Sequence, residues 1–63
     1  MKFIYVFSDD VAKDMEISGF KKLEENNEVN IDGKKAIVFL NNKESYLNKY
    51  QKQYILLSNK LFF

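Results

Sequence analysis

Two clusters of side chains in this 63-residue chain have the types and spacing to do chemistry. Asp9 and Asp10 directly follow an apolar run, the position of phosphoacceptor and metal-binding carboxylates at a strand end. With Asp14 and Glu16 they form an acidic stretch that could ligate a cation or dock on a basic surface. Lys43, Lys49 and Lys52 interleave with Tyr46, Tyr50 and Tyr54, and alternating rings and cations are what base stacking plus phosphate neutralisation require. Other catalytic devices lack parts. There is no His and no Cys, so the commonest general base, thiolate nucleophiles and the usual transition-metal ligands are missing. Ser8 sits in a strand–turn–helix setting but lacks Gly-x-Ser-x-Gly and an activating base, so capping is its better account. A phosphoryl or magnesium centre at Asp9 and Asp10 would need further carboxylates and a positioned lysine in a concavity. The bland account, that they favour the positive end of a helix, is the stronger one. The residues predict no enzyme, no metal and no cofactor.

Length and composition point to one domain over residues 1–63. A chain this short buries roughly 60% of its unfolded surface, so its stability margin is thin. Six Phe and four Tyr supply large buried areas, and 46% hydrophobic residues predict a folded globule rather than disorder. No run approaches the roughly 20 apolar residues that span a bilayer. The N-terminus enters strand-like alternation without the h-region or cleavage site of a signal peptide, so a cytoplasmic location is expected. Net charge is +1, yet residues 1–32 hold four Lys against eight Asp and Glu, and residues 33–63 hold six Lys against one Glu. That asymmetry predicts an acidic and a basic side, unless the halves interleave in the fold.

The elements that must position these residues follow from local pattern. Residues 2–7 alternate Phe3, Tyr5 and Phe7 with Ile4 and Val6, apolar on both faces as in a central strand. Ser8 is an N-cap for a helix over 9–18 whose buried stripe is Val11, Ala12 and Met15. Gly19 stands at a left-handed C′ position, with Phe20 behind it able to touch Met15. Phe20 to Glu25 reads as a second strand, and Asn26-Asn27 as a turn or loop. Glu28–Ile31 and Lys34–Leu40 flank Asp32-Gly33, a strong hairpin signal that sets Val29 opposite Ala36 and Ile31 opposite Lys34. Whether 20–25 and 28–31 are one bent strand or two stays open. Asn41 and Glu44 predict a capping-box start to a second helix over 42–53. On it Tyr46, Leu47, Tyr50 and Tyr54 share an arc of roughly 100°. Core packing is the bland account of that stripe, and the absence of Arg weakens the nucleic-acid one. Tyr54–Leu57 reads as a strand, Ser58-Asn59 as a turn or bulge, and Lys60–Phe63 as a last extended piece.

The order is thus β-α-β-β-α-β. The expected fold is a small α+β domain with a mainly antiparallel sheet and two short helices on one face, a compact ferredoxin-like arrangement. Leu61, Phe62 and Phe63 either complete the core beside the first strand or form a sticky edge for a homodimer.

The run Phe7-Ser8, Met15, Gly19-Phe20 and Leu23, followed by Val38-Phe39 and Ser58-Asn59-Lys60-Leu61, resembles a family of short proteins of unknown function. Phages and integrative elements of low-GC bacteria carry them. The motifs are structural, so the resemblance implies a mobile-element origin and transfers no site. The leading expectation is a protein-interaction module, plausibly a phage or mobile-element accessory that binds and modulates a host protein through the acidic face Asp9, Asp10, Asp14 and Glu16. The alternatives are a nucleic-acid-binding accessory using Lys43, Lys49, Lys52, Tyr46 and Tyr50, and a structural homodimer.

Overall fold

The first strand is apolar on both faces, and the chain folds so that both are covered. A computed structural model describes residues 1–61. Strand β1 (Phe3–Val6) is followed by helix α1 (Asp9–Ile17), strands β2 (Glu28–Ile31) and β3 (Lys34–Leu40), two 3₁₀ segments (Glu44–Lys49 and Lys52–Tyr54) and strand β4 (Ile55–Ser58). The strands form one sheet of order β2-β3-β1-β4 with every neighbouring pair antiparallel. The fold is therefore α+β. Ile4, Val6 and Phe39 on one sheet face are buried with Ala12 and Met15 of α1, with Phe20, and with Leu47 of the first 3₁₀ segment. On the other face Tyr5, Ala36 and Val38 are buried, with Leu23, Val29 and Ile31 packed against them. The Tyr5 hydroxyl donates there to the Lys60 carbonyl, so the chain beyond β4 turns toward this second face.

Helix α1 begins and ends by local chemistry. The Ser8 side chain accepts from the Val11 N–H at 3.3 Å, while Asp9 and Asp10 lie in the first turn. At the other end Gly19 has φ +99°. The Phe20 N–H donates to the Met15 carbonyl at 3.0 Å and the Gly19 N–H to that of Glu16 at 3.2 Å, the paired bonds of a Schellman close. Phe20 and Met15 are buried in one cluster, as their spacing predicts. Asp32 and Gly33 have φ of 51° and 80°, and the β2–β3 register pairs Val29 with Ala36 and Ile31 with Lys34, as the hairpin signal requires.

Two segments differ from expectation. The strand predicted over 20–25 reduces to one bridge, Lys22 to Phe39. The Leu23 N–H donates to the Val38 carbonyl at 3.2 Å, and the Val38 N–H donates to the Asn27 carbonyl at 2.8 Å. Both partners of Val38 are thus supplied from either side of Glu24-Glu25-Asn26, which loop out, with Asn26 at φ 54°. Glu and Asn disfavour strands, and one residue of β3 can serve only one ladder position. The answer to the open question is one interrupted path beside β3.

The helix predicted over 42–53 is two 3₁₀ pieces instead. Its residues include Asn42, Ser45, Tyr46, Asn48 and Tyr50, all weak α-helix formers. The capping box does not form either: Lys43 is the cap residue, without a side-chain cap bond, and the Asn41 amide donates to the Glu44 carboxylate at 2.9 Å. With three residues per turn, positions four apart are about 120° apart rather than about 40°. Leu47 and Tyr50, three apart, therefore stay on the core side, whereas Tyr46 turns out and is 57% exposed. Tyr54 is also exposed. The place beside β1 suggested for the C-terminal residues is taken by β4, and β3 takes its other edge. Leu61 is exposed, and Phe62 and Phe63 lie outside the described residues.

A Cβ at Gly19 would stand 2.8 Å from the Lys43 ammonium, whereas one at Gly33 meets nothing within 4 Å. Both positions have positive φ, which costs an L-residue about 1–2 kcal/mol. Gly19→Ala is expected to lower the urea midpoint more than Gly33→Ala, because it also displaces Lys43. Equal losses would show that Lys43 adds nothing to the helix end.

Candidate functional site

The acidic and basic stretches singled out in the sequence lie against each other rather than presenting two separate surfaces. Asp14 is on the exposed side of α1, and Tyr50 follows the first 3₁₀ segment. The Tyr50 hydroxyl donates to Asp14 Oδ2 at 2.7 Å. Lys49 Nζ lies 3.4 Å from the same oxygen, donates to Ser18 Oγ at 3.2 Å and stands 5.2 Å from the centre of the Tyr50 ring. Lys43 Nζ donates to the Ser18 carbonyl at 3.3 Å and lies 5.5 Å from the Tyr46 ring centre. Helix α1 has no basic residue in its own last turn. Lys43 and Lys49 bring cations to its negative end from 25 and 31 residues downstream of Ser18. The Tyr50 ring meets Phe20 edge-on at 6.5 Å, which ties this polar clasp to the core.

The remaining acidic residues are largely paired as well. Asp9 lies 3.3 Å from Lys35, and Glu16 lies 3.5 Å from Lys22. Asp10 has no ion pair among the described residues. A shallow hollow of about 240 Å³ runs past Asp9, Asp10, Lys13 and Glu16. Among the described residues no three carboxylates come together as metal ligands. Of the nucleic-acid candidates, Lys43, Lys49 and Tyr50 are turned onto α1, while Lys52 and Tyr46 stay exposed.

A different feature lies at the sheet edge. Strand β4 pairs with β1 on one side only. The Phe7 N–H donates to the Tyr54 carbonyl at 2.8 Å, and in an antiparallel ladder that phase assigns Leu56 and Ser58 as the next residues bonded to β1. The Leu57 N–H and the Ile55 and Leu57 carbonyls therefore point outward. Beside this edge, between β4 and the first 3₁₀ segment, is a cleft of about 500 Å³. Leu47, Tyr50, Ile55 and Leu57 line it, with Glu44 and Lys52 at its rim. Leu56, whose side chain lies on the opposite face of β4 from Ile55 and Leu57, also borders the cleft and is 40% exposed.

No protein-family model, curated protein or solved structure matches this chain. Its functional features must be argued from its own geometry. Sequence reading overlooked the cleft because it assigned Leu47 to core packing, and Tyr50 to core packing or a nucleic-acid surface. The available signal was Ile55-Leu56-Leu57, an uncharged run that becomes an edge when β4 ends the sheet.

The clasp has a defined pH signature. The Tyr50 hydrogen bond, then Lys49, hold the Asp14 carboxyl below its ordinary 3.8. Burial, then the Asp14 carboxylate, push the Tyr50 phenol above 10.0. A depressed carboxyl adds stability above its unfolded value and loses it as pH falls through the folded one. A raised phenol adds stability below its unfolded value and loses it as pH rises through the folded one. The clasp thus acts between these limits and weakens beyond both. In Tyr50→Phe the Asp14 carboxyl, followed by NMR titration, is expected to titrate closer to 3.8; an unmoved midpoint would remove the hydroxyl as the main cause.

Proposed function

We propose that this chain is a protein-interaction module, a small domain that works by seating another polypeptide rather than by converting a substrate. The observation that carries the reading is the open outer edge of β4 beside an apolar cleft of about 500 Å³. An unpaired strand edge with apolar walls is a template for another chain. The pairing of Asp14 with Lys49 and Tyr50 also favours it over nucleic-acid binding, since the clasp occupies two of the five groups named for that reading.

The setting we favour is a cytoplasmic phage or mobile-element accessory that modulates a host protein. Strand order β2-β3-β1-β4, with helical segments after β1 and β3, supports a compact ferredoxin-like architecture for it. No helix among the described residues is long and apolar enough to cross a membrane.

The test is affinity capture with the tagged full chain from lysate of low-GC bacteria, treated with nuclease. The expected result is one stoichiometric protein, retained after nuclease and lost with Leu56→Asp. A protein retained by Leu56→Asp but lost with Asp9→Lys/Asp10→Lys would move the site to the acidic face of α1. Recovery that vanishes with nuclease would replace the reading with nucleic-acid binding.

A further inference from the structure

Resting on the interaction-module reading, the geometry points to a specific occupant for the β4 edge: an extended segment of another protein, apolar at alternate residues and acidic at its ends, added as a fifth strand. The register supplies the first half of the argument. Ile55 and Leu57 lie opposite Val6 and Ile4, whose side chains belong to the helix-side core. An added strand keeps the pleat of its neighbour. Its residues opposite Ile55 and Leu57 therefore project to the helix side, where the cleft walled by Leu47 and Tyr50 lies. The Ile55 carbonyl is available for the ladder, as are the N–H and carbonyl of Leu57. The Ile55 N–H is already bonded to the Lys52 carbonyl, which marks the end of the open edge.

Charge supplies the other half. Ile55–Ser58 carries no charge, with Lys52 just before it and Lys60 just after. Neither ammonium has an ion pair among the described residues. The nearby carboxylate, Glu44, accepts from the Asn41 amide. Lys52 borders the cleft and Lys60 follows Ser58 by two residues, so a visiting strand has a cation near each end, which complements acidic flanks. The same lysines disfavour a second copy. Pairing β4 with β4 of another chain about a two-fold axis sets Lys52 of one near Lys60 of the other at both ends, and facing like charges destabilise a ladder. The chain's own path leaves the cleft clear as far as it is described, since the Tyr5 hydroxyl holds the Lys60 carbonyl on the opposite face.

The probes are three fluorescein-labelled seven-residue peptides with a Val-Thr-Val-Thr-Val centre. One has Asp and Glu ends, one has Lys ends, and one has acidic ends with alternate backbone nitrogens methylated on the edge that faces β4. Anisotropy is measured with the full chain and with Lys52→Glu/Lys60→Glu, whose side chains support nothing else described. The expected result is binding of the acidic-ended peptide and none of the methylated one. The charge-reversed chain should favour Lys ends, by on the order of ten-fold for two exposed pairs. Equal binding of the methylated peptide would overturn strand addition, and indifference to end charge would overturn the acidic flanks. Concentration-dependent dimerisation that shifts the Leu57 amide signal would give the edge to a second copy and overturn a foreign occupant. If no peptide binds while a nuclease-resistant partner is still captured through α1, this inference fails and the interaction reading stands. If neither occurs, both fail.

Discussion

A four-residue strand with apolar side chains on both faces must be covered on both, and this requirement on β1 organises everything else. Ile4 and Val6 point to one side, Tyr5 to the other, and all three are buried. Both edges of β1 are also used, by β3 and β4. A short chain has material for only one helical layer, which α1 and the first 3₁₀ segment provide through Ala12, Met15 and Leu47. The second face is met by Leu23, just before the looped-out residues, and by the chain beyond β4. Irregular segments thus carry packing that a larger domain would assign to a second layer of helices. Placing β1 at the centre leaves β2 and β4 as the sheet edges, and a cleft of about 500 Å³ lies beside β4.

The charge segregation of the sequence is resolved by interleaving. Acidic residues of α1 receive lysines from three other places: Lys35 on β3, Lys22 in the bridged segment and Lys49 in the crossover. Exposed ion pairs contribute little individually. The group around Asp14 differs because the Tyr50 ring that supplies its hydrogen bond also packs on Phe20, so the polar contact and core contact form together. This coupling fastens the 3₁₀ segments to α1 and defines the inner wall of the cleft beside β4. The helix–crossover contact therefore has a structural role and a role in shaping a surface.

An open apolar edge is a liability unless it is guarded or used. In the strand-addition mode proposed above, Lys52 and Lys60 guard this one against self-pairing while leaving it attractive to a strand of opposite end charge. In that mode the same two side chains set selectivity, and the uncharged stretch between them supplies the backbone groups for recognition.

Much of the fold was legible where its causes lie within five residues of one another. The Ser8 cap, the Gly19-Phe20 close of α1 and the Asp32-Gly33 turn with its register all rest on such local bonds and dihedral preferences. The strand alternation that made β1 central was equally plain. The candidate site was far less legible. Tyr50 and Asp14 are 36 residues apart and Lys43 and Ser18 are 25 apart, and no local pattern announces such contacts. The crossover became 3₁₀ instead of α because its weak helix formers yielded to tertiary tethers, which turned Tyr46 outward and kept Leu47 inside. Residues 20–25 lost their strand because Val38 takes its two bonds from Leu23 and Asn27. By itself the sequence determined the local elements, the turn register and the two-faced core strand, through short-range sterics and hydrogen bonds. Only the tertiary structure decided which charges cancel and which strand edge stays open, since both depend on the order in which distant segments pack.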